Sequence, residues 1–449
     1  MGDLALNIAA SGLNAQQTAM DTISENLTNA NTPGYVSESA VLEPEIGGDV
    51  LGVGDGVLVT GVVQNADQLL ATNAQQTQGA LSQSTALQQI LQGAQSVLPE
   101  PSSSGIGADL SSFWQAWDAV NQNPSDPAAR TQVVDQAQNL VADFQNASQQ
   151  LSALQTNAAN QVTTAVGSVN TQLAQVASLN VQIGATQGSG TPANSLVDQQ
   201  NAIITKLASS IGAVAVPQGN GTTNIVVGGV TLVQGSWSDT VAATGGAGNM
   251  ALVAHTSGAT LPTSSGSVAG ELAAVNQYLP GYQSQLDATA NALATTVNTQ
   301  LAQGYTATST PGSEFPLFEG SGAAGLSVNS AIVTNPQLIA ASSTSAQPDA
   351  TNDGGNAQAM AELYNSPTGP DAQYQSLIEG LGSQVQAVNN QVQSQTSVAN
   401  AAQQNLQAVE GVNTNDQMVQ MLTYQQAYQA SAKLVSTVDT MMQALIAAT

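Results

Sequence analysis

Residues 4–35 read LALNIAASGLNAQQTAMDTISENLTNANTPGY. Leu4, Ile8, Ser11, Ala15, Ala19, Ile23, Leu27 and Ala30 recur at steps of three and four, which makes one narrow apolar or small stripe on an amphipathic helix. The spacing predicts a helix over residues 3–29, a rod of about 40 Å at 1.5 Å per residue. It must stop at Thr32, because the residue before a proline is pushed out of the helical region. Pro33-Gly34 then suits the two central positions of a type II turn, with glycine taking the positive φ.

The far end of the chain has the same texture. Asn415 or Asp416 can cap a helix that carries Met418, Met421, Leu422, Tyr428, Ala432, Val435, Val438, Met442 and Leu445. Two terminal helices of similar length, each with one narrow stripe, are natural partners. Just before the last helix, Tyr374, Ile378, Leu381, Val385, Val388, Val392, Gln395, Ala399, Ala402, Leu406 and Val409 keep a 4-3 spacing, the signature of a coiled-coil seam. A second long helix is expected over residues 131–184. Its stripe shifts through Ala158 and Val162, a four-residue stutter that locally unwinds a supercoil. Asp126 is placed to cap it, with Pro127 at its first position. Phe113, Trp114 and Trp117 give a shorter helix a bulky face, and helices are expected over 196–211 and 272–301, with Pro280 kinking or starting the latter.

Between these helices the texture changes. In 212–264 the runs Asn224–Val227 and Thr231–Val233 flank Gly228-Gly229, a hairpin signal. Residues 305–354 are similarly rich in Gly, Ser and Thr, and both segments are expected to be β-rich insertions. A smaller β excursion is expected over 36–62, where Val50, Val53, Val57, Val59, Val62 and Val63 alternate with glycines. Gly52, Gly54 and Gly56 there form no phosphate loop, since the lysine and hydroxyl residue that such a loop needs are missing. The fold class is thus mainly α with β-rich insertions, elongated, with discontinuous domains. The divisions are 1–34 with 413–449 as a terminal helical coiled-coil domain, 35–211 with 265–304 and 355–412 as a helical rod, and 212–264 with 305–354 as an outer β-rich domain.

Composition narrows the function. The 449 residues carry 29 acidic and 3 basic side chains, a net charge of −26, with charged residues only 7% of the chain. Arg130, Lys206 and Lys433 cannot build the basic surface that phosphates require, which excludes nucleic acid and anionic membranes as partners. No cysteine is present, so thiol nucleophiles and Cys-ligated zinc are excluded. The single histidine, His255, ends a strand-like run and reads as an ordinary strand residue. No catalytic, cofactor or metal site is expected. Residues 1–11 lack the charged and apolar regions of a secretory signal. Arg130 is expected either to pair with Asp126 one turn away on an exposed helix, or to be buried against Asp118 or another carboxylate.

The motif Asn26–Tyr35 (NLTNANTPGY), preceded by Ser11–Gln16 (SGLNAQ), resembles the N-terminal signature of bacterial flagellar axial proteins of the rod, hook and hook-associated kinds. Tyr424–Lys433 (YQQAYQASAK), followed by Val435 and Met441, is similar to their C-terminal signature. Interior stretches resemble the hook-associated branch that joins hook to filament. They are Phe113-Trp114 with Asn123–Arg130, Ser195–Gln200, Leu279–Tyr282 with Leu286-Asp287, Ser327–Asn329, Asn335-Pro336 and Ile339–Ser342. Val36-Ser37-Glu38 departs from the serine and basic residue that usually follow the tyrosine, and Thr28 replaces a small apolar residue.

The resemblance implies export through the flagellar type III apparatus without a cleaved signal, and a secreted, extracellular place in the flagellum. It further implies a ring of copies of the chain between the hook protein and a second hook-associated junction protein. A cytoplasmic export chaperone would hold the C-terminal helices before secretion. By stripe position the expected subunit and partner interface is Leu4, Ile8, Ile23, Leu27, Leu422, Tyr428, Val435, Val438 and Leu445, with Pro33, Gly34 and Tyr35 as a structural turn. The terminal helices are expected to be mobile in the monomer and to order on assembly. Alternatives are a hook or distal-rod protein, or an adhesive module on a helical stalk. A surface of Gln, Asn, Ser and Thr with few ion pairs suits an acidic medium, since acid denaturation acts largely through paired carboxylates and charge repulsion.

Overall fold

The computed structural model describes residues 2–45 and 54–448. Val50, Gly52 and Val53 of the expected β excursion lie outside them, as does the side chain of Leu445. Helix α1 spans Gly2–Asn29, strands β1 Glu38–Glu45 and β2 Gly56–Gln64 pair as an antiparallel hairpin, and α2 runs Gln68–Val97. Helix α3 follows at Ile106–Gln122, α4 at Pro127–Gly188 and α5 at Asn194–Ile211. Asp126 caps α4 as expected, accepting from the amide of Ala128 at 2.9 Å with Pro127 at the first position. With 62 residues, α4 is about 90 Å long.

The 212–264 segment folds into two antiparallel sheets. One orders β3 (Val214–Pro217), β4 (Thr223–Val227), β5 (Val230–Gln234) and β6 (Trp237–Ser238) side by side. The other joins β7 (Val241–Thr244), β8 (Ala251–Ala254) and β9 (Thr260–Leu261). The β4–β5 hairpin turns at Gly228 and Gly229, whose φ values of 54° and 85° are open to glycine at little cost. His255 is an exposed residue just past β8.

Helix α6 (Ser267–Ala273) passes through a π-helical turn, Ala274–Tyr278, into α7 (Leu279–Leu301). Pro280 therefore neither breaks the helix nor starts it alone. It cannot donate to the carbonyl four residues back, and the widened turn just before it, in which the Leu279 amide reaches Ala274, accommodates the ring. The chain ends with α8 (Pro370–Glu410) and α9 (Thr414–Ala448).

Residues 305–354 depart from expectation. They carry only the two-residue strands β10 (Phe318–Glu319) and β11 (Ser327–Val328), with short helices, turns and isolated bridges. Their Gly, Ser and Thr serve turn geometry and local hydrogen bonds, while Leu317, Phe318, Leu326, Ile332 and Ile339 sink into the helical core beside Phe113 and Phe144. The apolar residues of this segment enter one core and those of 212–264 chiefly another, with Met250 packed against both. The first core collects α2, α3, α7, the first half of α8 and α4 up to Ala158. The second starts at Val162 of α4 and gathers α5 and both larger sheets. The stutter read from the sequence is thus the place where α4 passes from one core to the other. The π turn lies at the same level, and Gln155 of α4 donates to the Val275 carbonyl at 2.9 Å.

Helix α8 lies antiparallel to α2, with Gln88 donating to Asn389 near its middle and the amide of Asp67 donating to Glu410 at its end. Its seam is buried at Tyr374, Leu381, Val385 and Val388; further on, small residues (Ala399 and Ala402 on α8, Ala74 on α2) are buried, and Val409 is half exposed.

Arg130 corrects both expectations made for it. It is fully buried, and its guanidinium donates to backbone carbonyls: Nε and Nη2 to Pro124 at 3.1 and 2.9 Å, and Nη1 to Ile339. It ties the α3–α4 turn to the 336–341 segment, and burial lowers its pKa from the ordinary arginine value. Replacing it leaves the buried Ile339 carbonyl and the partly buried Pro124 carbonyl short of donors beside a cavity. Arg130→Gln is therefore expected to cost about 3 kcal/mol in urea unfolding, and a loss below 1 kcal/mol would contradict this role.

Candidate functional site

The two termini form one structure. Helix α9 packs antiparallel on α1, with Gln417 near Asn26 and Ser431 near Gln16, linked by hydrogen bonds of 3.1 and 3.3 Å. The helices approach closely because α1 offers small residues: Ala9, Gly12, Ala15 and Ala19 are buried, with Ile23 the bulky exception. A Cβ on Gly12 would already sit 3.4 Å from the Ser431 hydroxyl. On another side of α1 lies the β1–β2 hairpin, whose Val57 amide donates to Ser11 Oγ at 3.2 Å. Gly56, at φ 128°, comes so near Ser11 that a side chain there would collide with it.

The NLTNANTPGY motif builds the joint between this pair and the rest of the chain. The Tyr35 amide donates to Thr32 at 3.2 Å and Gly34 has φ 82°, which is the type II turn expected of Pro33-Gly34. That turn returns the chain to Asn26, which is fully buried. Asn26 Nδ2 donates to the Glu38 carbonyl and Oδ1 accepts from the Glu38 amide, both at 2.8 Å, so the side chain acts as one rung of a β-ladder. The same amide donates to Gln417 of α9, and Tyr35 Oη donates to Asn26 Oδ1 at 2.9 Å. The Ser37 amide donates to the Glu410 carbonyl at the end of α8, and Gln64 of β2 reaches Asp198 of α5 at 2.7 Å. One asparagine thereby gathers α1, the turn, β1 and α9.

Carboxyl groups crowd this joint without cations. Burial raises the pKa of Asp198 to about 6, and burial also raises those of Glu38 and Glu410. Tyr35 is pushed up as well, by burial first and then by the negative Glu38. Among the described residues no cluster of His, Cys, Asp and Glu is arranged to hold a metal, and no helix is long and apolar enough to cross a membrane.

The expected interface residues divide. Ile23 and Val438 are buried, Leu4, Ile8, Leu27 and Val435 partly so, and Pro33 and Gly34 sit exposed in the turn with Tyr35 half-buried. Leu422 is 58% exposed and Tyr428 37%. The α9 stripe was expected to include Met418 and Leu422. The more covered positions instead run Gln417, Met421, Tyr424, Ala427, Ser431, Val435 and Val438, while Met418, Val419 and Leu422 point away from α1. The cap of α9 is Asn413, which accepts from Asn415 and Asp416, and not either of those two residues. The roles of Asn26, Gln417 and Asn413 were missed, although Asn26 opens the motif that was read.

Comparison with known proteins places this arrangement. Residues 91–318 match the family described as the flagellar hook-associated protein FlgK helical domain. Residues 6–35 match flagella basal body rod proteins, and 403–448 match the C-terminal region of flagellar basal body rod FlgEFG proteins. The hook-associated protein 1 of Salmonella typhimurium is 25% identical over 550 residues, covering 98% of this chain and 99% of that protein. The protein of the same name from Bacillus subtilis is 26% identical over 497 residues, covering 99% and 97%. In structure the chain is similar to the flagellar hook junction protein FlgK of Burkholderia pseudomallei, with 18% identity and a TM-score of 0.63 over 77% of this chain and all of that one.

Two outcomes are expected. Asn26→Ala strands the Glu38 amide and carbonyl and should cost about 2–3 kcal/mol, with faster hydrogen exchange at Glu38. Unchanged protection there would refute the rung. The second concerns pH. A carboxyl whose folded pKa exceeds its unfolded one stabilises the fold as it takes up its proton. For Asp198, and for Asp109, which burial and then its neighbour Asp143 likewise raise to about 6, that gain accrues from about pH 6 down towards the ordinary value near 4. Asp353 is shifted the other way, so its contribution is lost only below the ordinary range. Calorimetry should show Tm higher at pH 4.5 than at pH 7, and a fall would count against it.

Proposed function

The chain belongs to the flagellar hook-associated FlgK family, and from that premise we propose that it is a structural subunit of the flagellum at the hook–filament junction, working by assembly and not by catalysis. It would leave the cell through the flagellar export apparatus without a cleaved signal and take up an extracellular place in a ring of copies. On one side of the ring would stand the hook protein, on the other a second hook-associated junction protein. A cytoplasmic chaperone would hold its C-terminal helices before export. The observation that carries this reading is the α1–α9 pair. It joins the two ends of the chain, coincides with the two terminal matches to rod proteins, and leaves a second apolar side on α9 uncovered.

That uncovered side divides the interface residues into two roles. Ile23 and Val438 hold the pair together within a subunit. Met418, Val419 and Leu422, all more than half exposed, are free to meet neighbours, as is Tyr428. Exposed apolar side chains in a row mark an interaction surface. The three domains read from the sequence remain a proposal with one adjustment: residues 305–354 move to the helical rod, where their apolar residues are buried.

Removing residues 1–34 or 413–449 should abolish junction formation, scored by immunogold labelling at hook ends; labelling along the hook would favour a hook protein instead. Leu422→Ser should shift stability by less than about 0.5 kcal/mol yet sharply reduce incorporation. Val438→Ala should cost about 1–2 kcal/mol through lost burial. Equal effects of the two substitutions on stability would undo the division of roles.

A further inference from the structure

The acidic charge of the chain is unevenly placed. Residues 144–270 hold two of the 29 acidic residues, Asp198 and Asp239, and one of the three basic ones, Lys206. This stretch supplies the outer half of α4, α5 and both larger sheets, and so the body of the second core. Asp239 is buried and accepts from Thr240 and from the amide and hydroxyl of Thr256, so it adds no carboxylate to the surface. The lobe therefore presents a nearly uncharged exterior on a chain of net charge −26.

The register of the four-stranded sheet shows what that exterior contains. Val214 pairs with Val226 across β3–β4, and Val226 with Thr231 across β4–β5, so these side chains share one face; Val216 lies two residues along β3 on the same face. Ile225, Val227 and Leu232 are buried towards the core. The face with Val214 is the outer one: Val214 and Val216 are 37% and 42% exposed, and Trp237, at the β5–β6 turn, is 44% exposed.

We propose that this outer sheet face is where neighbouring copies of the chain meet side by side in the ring. The proposal rests on the assembly reading above and adds a second contact, away from the terminal helices. The choice of a second copy follows from charge. Subunits packed together repel wherever their carboxylates face each other, each unit pair costing about 0.4 kcal/mol in water at 10 Å before screening. A neutral face removes that cost, and its valines and tryptophan repay contact by leaving water. A strongly charged partner, by contrast, finds no complement here.

The test uses the full-length protein. Val216→Glu with Val226→Glu should leave the monomer folded, with Tm close to that of the parent, but lower incorporation at hook ends at least tenfold. Val216→Thr with Val226→Thr, which adds no charge, should incorporate at near-parental levels, as should the control Gln303→Glu at an exposed site outside the lobe. Trp114 and Trp117 are buried, so iodide quenching reports mainly Trp237, and it should fall severalfold on assembly. Glutamate variants that incorporate normally, or a Trp237 that stays equally quenchable in the assembled junction, would overturn the proposal. Variants that incorporate but fail to accept the next junction protein would assign the face to that partner and also overturn it. Failure of the parental chain itself to incorporate would instead reject the assembly reading.

Discussion

A helix-borne asparagine that clamps one residue of a strand through both its amide and its carbonyl is the interaction on which this architecture depends. Among the described residues it occurs five times. Asn26 of α1 holds Glu38, Asn170 and Asn180 of α4 hold Val241 and Thr223, Asn276 of the π turn holds Met250, and Asn298 of α7 holds Phe318. Four of the held residues are the first of a strand, and Met250 directly precedes one. Each clamp satisfies a donor and an acceptor that the strand end would otherwise leave open, and it fixes the strand's register against the helix. A chain with three basic residues cannot fasten its parts with ion pairs. Carboxamides do that work here, and they carry no charge to titrate or screen.

The same economy explains the buried charges. Arg130 bonds carbonyls instead of a carboxylate. The carboxyl groups whose pKa values are raised owe this first to burial. In most proteins acid breaks the native state by protonating carboxylates that the fold holds ionised. For these groups protonation relieves a desolvation cost, Asp353 being shifted the other way, and the asparagine clamps are untouched. A surface of amides and hydroxyls thus goes with joints that depend little on carboxylate ionisation.

Periodicity made the long elements legible. The stripe of Leu4 to Ala30, the cap at Asp126 and the turn at Pro33-Gly34 rest on local rules that tertiary packing did not override. The stutter at Ala158–Val162 carried more than its local meaning, since it marks the passage between two cores. Other features were hidden for physical reasons. A buried Asn26 and an exposed asparagine on the same helix look alike, because what distinguishes them is a strand brought up by a turn. Residues 305–354 have the composition of an insertion, yet scattered apolar residues such as Leu317, Phe318 and Ile339 suffice to seat an irregular segment in a core. On α9 the choice between two stripes depended on where α1 lies, which no pattern within α9 encodes.

The α1–α9 pair shows why its stability and its function are joined. A seam of Gly12, Ala9, Ala15 and Ala19 lets the backbones approach, but at roughly 25 cal/mol per Å² such residues gain little from leaving water. The bulkier side chains of α9, Met418, Val419, Leu422, Leu434 and Met441, lie largely outside that seam. A helix pair usually buries its largest residues first; this one reserves them. The apolar area of that face stays in water in a single copy. Asn26 and its partners at the joint meanwhile set the direction in which the pair leaves the body of the chain. The pair is thus positioned by hydrogen bonds at the joint and held by the few bulky residues it buries, Ile23 and Val438, while most of the large side chains of α9 stay exposed in a single copy.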